Sequence, residues 1–482
     1  MQPAEVRLPM EKVSINSQIF RGYDLRGVAG EDLDEARMEI LGKAYATFLY
    51  RRRIWEIVVG RDNRLTSESY SKAFIKGLVE SGVDVIDIGL SLAQIVYFAQ
   101  YYFRFKGAAM VTASHNPVNY NGLKLAVGFS DTMTSPEIQE YKKITQSGNF
   151  KKFDRKGTLR QEDVFDAYKQ DVLRKIGKIR KFKVVVDACN STPGMFLPVL
   201  LRDAGCEVIE QNTELDGNFP SGTPDPTERE VQERLAKRVI AEKADIGFSY
   251  DADGDRMGIV DEKGRLIWND TLVTLFAQDV LDFLSGSKII FNVLCSKQVR
   301  DIVEARGGKP VMWLTGHSFI KAKIKEERAP FGGELSGHIF FMDNFYGHDD
   351  EAYATLRLLA YLTRIGKSLG QAVSRLPQYI SSPEIKLGCP DEIKFKLISE
   401  KITPDIKKVF EQADYVDIDG IRFDTKDEMA VIRASQNGPY LTVKYEARTH
   451  DQFAKLRKVI SAILHKYPQI DFGEGVNTDA LD

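Results

Sequence analysis

A strand–helix–strand pattern occurs three times in this chain, and it constrains the fold more than any single element does. The first copy has an apolar strand at residues 57–62, a helix at 69–80 and a second strand at 82–86. The same order returns at 184–209 and at 289–311. Strands joined by a crossover helix run parallel. The pattern predicts three α/β units with largely parallel sheets, although such units are common and need no duplication to explain them.

The length and charge of the chain narrow the class of protein. Its 482 residues, 43% of them hydrophobic, fit three or four domains with ordinary cores. Lys+Arg total 67 and Asp+Glu 69, so the net charge of -2 favours no nucleic-acid partner, and an anionic ligand must be bound by local clusters. We find no apolar run typical of a signal peptide or a membrane span, so we expect a cytoplasmic protein without a membrane partner. Four scattered cysteines are expected to be reduced and mostly buried.

A short polar loop follows an apolar strand at residues 107–111. Thr-Ala-Ser-His-Asn-Pro occupies residues 112–117, and Asn-Gly-Leu-Lys occupies 121–124. Ser114 is therefore expected at the carboxyl end of a buried strand, where open α/β sheets place their chemistry. The loop carries a hydroxyl beside an imidazole, and Pro117 ends the regular structure. Such a run is also ordinary turn chemistry, so the later motifs decide its meaning.

Three carboxylates alternate along the segment that follows an apparent strand at residues 246–250. Asp251, Asp253 and Asp255 surround Gly254, which lets the backbone curl. Three negative groups so close repel one another, and a hard divalent cation relieves that repulsion. A calcium loop of the EF-hand type would lie between two helices, whereas the flanks here have the pattern of strands. The sequence therefore predicts a divalent metal site.

Two further polar loops lie in the C-terminal half of the chain. Phe-Gly-Gly-Glu-Leu-Ser-Gly-His at 331–338 offers Glu334 as an acceptor and Ser336 as a donor or acceptor, as sugar hydroxyls require. Arg-Ala-Ser-Gln-Asn-Gly-Pro at 433–439 lies between two expected strands, with Lys444 on the second. A loop of donors between strands favours anion binding. Taken alone, each of these loops is also a generic turn.

Domain boundaries are expected where turn residues are dense. The polar, Lys-rich stretch 147–157 suits a linker that closes the first domain. A pair of strands ending near Trp268 closes the second domain, and Ser-Ser-Pro at 381–383 marks the hinge to the last. The mostly polar tail from residue 476 onward is expected to fray.

These four loops, in this order, resemble those of the α-D-phosphohexomutases, the family of phosphoglucomutase and phosphomannomutase. Loop 112–117 resembles the phosphoserine loop of the family, and the aspartate loop matches its magnesium loop residue for residue, with Arg256 following. Loop 331–338 resembles its sugar-recognition loop, and 433–437 its phosphate-binding loop. Glu-Leu-Ser-Gly-His is closest to the Glu-Met-Ser-Gly-His of bacterial phosphomannomutase/phosphoglucomutases. Phosphoglucosamine mutases usually carry a glutamine between the glutamate and the serine.

The resemblance implies an architecture that covers essentially the whole chain. The fold class would be α/β, with three similar mixed α/β domains and a smaller α+β C-terminal domain around a central cleft. The expected domains are 1–157 for the phosphoserine, 158–265 for the metal, 266–382 for sugar recognition and 383–482 for phosphate binding.

The resemblance also implies an activity. The protein would interconvert hexose 1-phosphate and hexose 6-phosphate, of mannose or glucose or both, through phosphorylated Ser114 and a hexose 1,6-bisphosphate that also serves as activator. Magnesium would draw electron density from the phosphoryl group. The expected catalytic residues are Ser114, Lys124, His338, Arg26 and Arg256. The expected substrate-binding residues are Tyr23, His317, Glu334, Ser336, Arg433, Ser435, Gln436, Asn437 and Lys444. The expected metal ligands are Asp251, Asp253, Asp255 and Ser114.

Two other interpretations compete with this one: a phosphoglucosamine mutase, and a non-catalytic sugar-phosphate-binding relative of the same fold. The chain also departs from the family at several positions. Gln436 and Asn437 stand where the family has Asn-Thr, Lys444 stands where arginine is common, and Leu294 and Leu314 stand where lysines are expected. Lysine gives a point charge in place of a bidentate fork. These departures bear on affinity and specificity and leave the chemistry unchanged.

Overall fold

The computed structural model describes residues 5–7, 14–436 and 438–482. The chain divides into two compact units. The first consists of Met1–Asn269 and Ser336–Gln371, and the second of Asp270–Leu335 and Ala372–Asp482. Among the described residues, no helix is long and apolar enough to cross a membrane.

The N-terminal part of the first unit is a mixed sheet flanked by helices. Its strands are β1 (Glu5–Arg7), β2 (Leu25–Val28), β3 (Glu56–Arg61), β4 (Asp84–Leu90), β5 (Gly107–Val111), β6 (Tyr120–Gly128), β7 (Asp131–Thr132), β8 (Lys151–Phe153) and β9 (Leu159–Gln161). Its helices are α1 (Glu35–Arg51), α2 (Ser67–Glu80), α3 (Ala93–Phe103) and α4 (Ser135–Ser147). The main sheet has the order β2-β6-β5-β3-β4-β9. Strand β3 runs parallel to β4 and β5, whereas β6 is antiparallel to β5.

Two features of this sheet differ from expectation. Strand β9 lies beyond residue 157 and pairs in parallel with β4, so the first sheet extends past the expected domain boundary. Within the stretch expected as a linker, Phe150 and Phe153 are fully buried, because their rings pack into the apolar core of the first sheet. The polar residues around them in the sequence gave no indication of this packing.

The next sheet of the first unit has parallel strands at one side and antiparallel strands at the other. Its elements are α5 (Phe165–Ile176), β10 (Lys183–Asp187), α6 (Pro193–Asp203), β11 (Glu207–Gln211), α7 (Arg229–Glu242), β12 (Ile246–Tyr250), β13 (Met257–Asp261) and β14 (Leu266–Ile267). The order is β11-β10-β12-β13-β14. Strand β10 is parallel to β11 and β12, and β13 is antiparallel to β12. Since β14 pairs with β13, this sheet continues past the boundary expected at residue 265.

The second unit begins with three parallel strands. The elements are α8 (Asn269–Phe283), β15 (Lys288–Asn292), α9 (Lys297–Ala305), β16 (Lys309–Trp313), α10 (His317–Glu327) and β17 (Phe331–Gly333). Strand β15 lies between β16 and β17 and is parallel to both. The chain then returns to the first unit with β18 (Ile339–Phe341), α11 (Glu351–Ile365) and most of α12 (Leu369–Val373).

The C-terminal part of the second unit is an antiparallel sheet with helices. Its elements are β19 (Ile380–Ser381), β20 (Ile385–Gly388), α13 (Lys394–Leu397), a π-helical turn (Ile398–Ile402), α14 (Thr403–Val409), β21 (Asp414–Val416), β22 (Ile421–Asp424), β23 (Glu428–Ala434), β24 (Tyr440–Ala447), α15 (His450–Leu464) and β25 (Asp471–Val476). The order is β21-β22-β23-β24-β20-β25, with β19 paired to β24. Residues expected at the hinge therefore already belong to this sheet.

The tail that was expected to fray is ordered, so that expectation is wrong. Residues Thr478–Leu481 form a short 3-10 helix, and Leu481 is 2% exposed in the C-terminal core. The Tyr445 hydroxyl donates to the Ala480 carbonyl, and Asn477 donates to the Glu384 carbonyl. One apolar side chain with two polar contacts holds a segment whose composition is otherwise that of a loose end.

The predicted strand–helix–strand pattern is confirmed in all three copies. The strand pairs β3/β4, β10/β11 and β15/β16 are each parallel, and a helix joins the two strands of each pair. The predicted α/β class with a distinct C-terminal domain is also confirmed. The four cysteines are buried free thiols.

Candidate active site

Ser114 lies between β5 and β6, in a segment that we call the serine loop (residues 112–120, which includes the first residue of β6). Its φ is 51°, in the left-handed region that costs a non-glycine residue about 1–3 kcal/mol. Its backbone N–H donates to Thr112 Oγ1 at 2.8 Å. Its Oγ donates to Asp251 Oδ2 at 2.5 Å and lies 3.2 Å from His115 Nδ1. The strained backbone thus presents the hydroxyl to the aspartate loop.

The three aspartates follow β12 and are fully buried. Gly254, at φ 75°, lets the chain turn so that carboxylate oxygens of Asp251, Asp253 and Asp255 all lie within 4.8 Å of one another. Burial, and the nearby charges of Asp253 and Asp255, raise the pKa of Asp251 well above its usual value. Among the described residues, Asp253 Oδ1 accepts no hydrogen bond. Such a set of crowded carboxylate oxygens fits a hard divalent cation.

Lys124 reaches the same carboxylates from β6. Its Nζ lies 2.7 Å from Asp253 Oδ2 and also contacts Asp255. Burial alone would lower the pKa of Lys124, but the charges of Asp253 and Asp255 outweigh burial and raise it well above the usual value. The side chain is therefore held as an ammonium beside these carboxylates.

Arg256 lies between two imidazoles. Its Nε donates to His338 Nε2 at 3.0 Å, and its Nη1 lies 3.5 Å from His115 Nε2. Burial opposes the charge of Arg256, but Asp251 and Asp255 raise its pKa. His338 Nδ1 lies 3.1 Å from Asp349 Oδ2.

Arg26 contacts the serine loop from β2. Its Nε donates to Asp24 at 2.8 Å, and its Nη1 donates to the Ala113 carbonyl at 3.0 Å and to Asn116 Oδ1. Gly122 faces Arg26 across the β2–β6 pair, and a Cβ there would lie 1.9 Å from the Leu25 carbonyl oxygen. Only glycine allows β2 to come this close.

The N-terminal segment bends before it enters the sheet. A 3-10 turn at Ser17–Ile19 precedes the bend, and β2 starts at Leu25. Tyr23 is buried in the bend between them, close enough to Arg26 and Arg256 to interact electrostatically with both.

In the second unit, the Glu334 side chain forms hydrogen bonds that link the carboxyl ends of three strands. Its Oε1 accepts from the Gly316 N–H at 2.7 Å and from Asn292 Nδ2 at 3.3 Å. Asn292 ends β15, Gly316 precedes α10, and Glu334 follows β17. His317, the first residue of α10, is buried at the same edge. Ser336, which belongs to the first unit, is half-buried in a turn.

Arg433 is the penultimate residue of β23 and is held by a residue that no sequence motif indicated. Its Nε donates to Asp419 Oδ2 at 2.8 Å, and the same oxygen accepts from the Thr315 N–H at 3.0 Å. Ser435 is buried and Gln436 is exposed. Asn437, also predicted to bind phosphate, lies outside the described residues.

Lys444, predicted to bind phosphate, is paired with a buried carboxylate. Its Nζ lies 2.6 Å from Asp270 Oδ2 and 3.2 Å from the Leu294 carbonyl oxygen. The Asp270 carboxylate also accepts from the Ser296 N–H at 3.0 Å. The ammonium is therefore paired inside the second unit, where it supports the loop after β15.

Sequence reasoning missed three residues that touch these sites: Asp349, Asp419 and Arg64. Asp349 lies in the acidic run His-Asp-Asp-Glu at 348–351, and Arg64 lies in Arg-Asp-Asn-Arg at 61–64 after β3. Charged runs after strands are a weak signal, because most of them are solvated. Arg64 and Asp419 contact residues 50 and 104 positions away, so no local pattern reveals those contacts.

The fold and the first of these sites define an α/β enzyme whose serine hydroxyl faces a cluster of carboxylates. Residues 17–152, 165–264 and 268–379 match alpha/beta/alpha domains I, II and III of phosphoglucomutase/phosphomannomutase. The chain belongs to the phosphoglucomutase/phosphomannomutase family, whose members are intramolecular phosphotransferases, and it is itself such an enzyme.

Individual relatives agree with this assignment. A phosphomannomutase/phosphoglucomutase of Pseudomonas aeruginosa is 35% identical over 446 residues, 92% of this chain and 95% of that protein. A solved phosphoglucomutase/phosphomannomutase family protein of Burkholderia thailandensis has a TM-score of 0.87 at 35% identity, covering 94% of this chain and 98% of its own. The N-acetylphosphoglucosamine mutase of Aspergillus fumigatus, solved with GlcNAc-6P and magnesium, shares the fold at 13% identity, with a TM-score of 0.64 and coverage of 94% and 96%.

Proposed function

We propose that this enzyme interconverts the 1-phosphates and 6-phosphates of glucose and mannose through phosphorylated Ser114 and a hexose 1,6-bisphosphate intermediate. The observation that carries the proposal is the 2.5 Å contact between Ser114 Oγ and Asp251 Oδ2. A hydroxyl pressed against a group of carboxylates that fits a divalent cation is suited to carry a phosphoryl group. The Pseudomonas aeruginosa relative, named for both sugars, supports the choice of substrates.

In the first half-reaction, phosphorylated Ser114 would transfer its phosphoryl group to O6 or O1 of the bound sugar. The bond from phosphorus to Ser114 Oγ breaks, the bond to the sugar oxygen forms, and the sugar hydroxyl loses its proton. In the second half-reaction the other phosphate of the bisphosphate returns to Ser114. The same bisphosphate, supplied from solution, would activate enzyme that lacks the phosphate.

Lys124 and His338 are proposed as the general acid and base. Lys124 carries a proton as an ammonium beside Asp253 and Asp255, and it would be the acid. His338 Nε2 accepts from Arg256, so it would act as the base once a sugar hydroxyl replaces Arg256 as the donor. Arg26 and Arg256 would stabilise negative charge on the group being transferred, since each lies beside Ser114 or its neighbours.

Asp251, Asp253 and Asp255, with phosphorylated Ser114, are proposed to hold magnesium. When bound, the ion would polarise the phosphoryl group and make Ser114 Oγ a better leaving group. The mutual repulsion of the carboxylates and the unsatisfied Asp253 Oδ1 support this assignment. The magnesium in the Aspergillus fumigatus relative is consistent with it.

Residues of the second unit are proposed to bind the sugar and its non-transferring phosphate. Glu334 and His317 would read sugar hydroxyls, and Arg433 and Ser435 would bind phosphate through the guanidinium edge and the loop that follows β23. Further proposed contacts are Tyr23, Ser336, Gln436, Asn437 and Lys444. In this proposal Lys444, paired with Asp270, would add its positive charge to the phosphate site. Division into four domains near residues 157, 265 and 382, and action in the cytoplasm, belong to the same proposal.

The test is an assay with glucose 1-phosphate, magnesium and glucose 1,6-bisphosphate, in which glucose 6-phosphate is measured by a coupled dehydrogenase. We expect turnover by the wild type and almost none by Ser114→Ala, with an unchanged melting temperature because little buried volume is lost. Ser69→Ala, on the surface of α2, is the matched control. Turnover by Ser114→Ala would contradict the proposal. A wild type that binds sugar phosphates without turnover would be the non-catalytic relative, and a strong preference for glucosamine phosphate would indicate the phosphoglucosamine mutase.

A further inference from the structure

Arg64 lies directly beneath the serine loop and binds its backbone. The residue is 2% exposed. Its Nη2 donates to the carbonyl oxygens of Ser114 and Asn116, each at 2.6 Å. Its Nη1 donates to the carbonyl oxygens of Pro117 at 2.7 Å and Tyr120 at 3.1 Å. One guanidinium therefore gathers four carbonyl groups of a single loop.

Asp62 holds Arg64 and reaches the other side of Ser114. Its Oδ2 lies 3.3 Å from Arg64 Nε and accepts from Thr112 Oγ1 at 2.7 Å. Thr112 Oγ1 in turn accepts from the Ser114 N–H at 2.8 Å. The remaining oxygen, Oδ1, accepts from Ser67 Oγ at 2.5 Å and from the Arg64 N–H at 3.0 Å. Ser114 is thus bound at its carbonyl group by Arg64 and at its N–H, through Thr112, by Asp62.

These bonds explain how Ser114 keeps a backbone conformation that L-residues rarely adopt. With φ at 51°, Ser114 would relax to a commoner conformation if the surrounding bonds did not hold it. Such a relaxation would turn Oγ away from Asp251. Four carbonyl groups bound by one cation, with the amide held from the other side, fix the Cα–Cβ bond of Ser114. The side chain then needs only the rotamer that brings Oγ to Asp251.

We propose that Arg64 is a positioning residue for phosphoryl transfer, in that it sets the direction of Ser114 Oγ; the inference rests on the proposed role of Ser114 as phosphoryl carrier. Arginine suits this position because its planar fork offers five donors, whereas lysine offers three from one point. A lysine at residue 64 keeps the charge beside Asp62 but cannot span four carbonyl groups. Charge and geometry can therefore be separated by substitution.

The competing account is that Arg64 and Asp62 form a buried ion pair that serves folding alone. Under that account, a folded Arg64→Lys variant retains normal catalysis. Under the positioning account, it binds substrate normally and transfers the phosphoryl group slowly, since a misplacement of about 1 Å can cost on the order of a hundredfold.

The experiment compares Arg64→Lys, Arg64→Ala and Arg61→Ala in the full chain. Arg61 is the matched control, because it lies on the same segment and contacts Glu68 at 3.6 Å and the Asp62 carbonyl at 3.5 Å. Three quantities are measured: the melting temperature, kcat and KM for glucose 1-phosphate, and the rate at which Ser114 gains phosphate from glucose 1,6-bisphosphate, followed by intact mass.

For Arg64→Lys we expect kcat and the phosphorylation rate to fall together by about a hundredfold, with KM changed by less than about threefold. Millimolar guanidinium should restore part of the activity of Arg64→Ala and none of that of Arg64→Lys, because only the alanine variant leaves space for it. Arg61→Ala should match the wild type.

The inference is overturned if folded Arg64→Lys keeps the wild-type kcat and phosphorylation rate, if only KM changes, or if both variants fail to fold, which would leave a purely structural role. Failure of the proposed function itself has another signature. It would appear as turnover in Ser114→Ala, or as no turnover in the wild type, whatever the Arg64 variants do.

Discussion

The carboxylate of Asp349 faces Nδ1 of His338, while Arg256 contacts the other ring nitrogen. Asp349 Oδ2 lies 3.1 Å from His338 Nδ1, while Nε2 accepts a hydrogen bond from Arg256 at 3.0 Å. Because Nε2 is an acceptor, the proton of the neutral ring is on Nδ1, facing the carboxylate. The contact joins the residues just before α11 to the turn before β18. The Nε2 lone pair lies on the side of the ring that faces Arg256.

We expect Asp349→Ala to lower kcat by roughly a hundredfold, because the ring loses the acceptor that fixes its orientation and tautomer. Asp349→Asn should lose less, since its amide oxygen can still accept from Nδ1. The measurement is kcat and KM for glucose 1-phosphate, with melting temperatures as the control for folding. Equal kcat in both variants and the wild type would show that His338 needs no such support.

Removal of the metal should abolish activity. Treatment with EDTA, or Asp253→Asn, is expected to lower turnover to background, and added magnesium should restore only the wild type. Magnesium should raise the melting temperature of the wild type. It should do the same for the control variant Glu262→Gln, because the Glu262 carboxylate lies outside the proposed metal site and accepts hydrogen bonds from Ser368 and Gly370. Full activity of metal-free enzyme would contradict the assignment.

The sugar specificity should follow hydroxyls that glucose and mannose share. Glucose and mannose differ only at C2, whereas galactose differs at C4 and would leave a buried partner badly paired at a cost of about 1–3 kcal/mol. We therefore expect comparable kcat/KM for glucose 1-phosphate and mannose 1-phosphate, and a loss of roughly tenfold or more for galactose 1-phosphate. Glu334→Gln should weaken both accepted sugars together. An effect on one sugar alone would contradict dual specificity while leaving the mutase assignment intact.

Glu351 should make the fold less stable as pH rises. It is fully buried; its Oε1 accepts from the Ile339 N–H at 3.0 Å, and its Oε2 has no hydrogen-bond partner among the described residues. Burial, and the charges of Asp349, Asp255 and Asp350, raise its pKa well above the usual value. Above a pH of about 4.3 the unfolded chain has lost this proton while the folded chain keeps it, so Glu351 lowers stability by about 1.4 kcal/mol per pH unit until the folded pKa is passed.

We expect Glu351→Gln to remove this contribution, since a glutamine oxygen can still accept from Ile339. The melting temperature of the variant should exceed that of the wild type by a larger margin at pH 7 than at pH 5. Glu392→Gln, at an exposed position, should leave the pH dependence unchanged. The measurement is the melting temperature from pH 5 to 8. If the melting temperature of Glu351→Gln depends on pH as that of the wild type does, Glu351 is ionised in the folded protein and the prediction is wrong.

The sequence by itself determined the three strand–helix–strand units and the loops that carry Ser114, the three aspartates and Glu334. Periodic burial is a local property, so residues near one another in the chain report it. Only the tertiary structure decided what those loops meet. Arg64 reaches Ser114 across 50 residues and Asp419 reaches Thr315 across 104, and the run of residues around each gives no sign of its partner. The pairing of Lys444 with Asp270 and the burial of Leu481 have the same origin. Which distant segments meet depends on how the sheets pair and pack, a cooperative outcome of the whole chain that no local window of sequence contains.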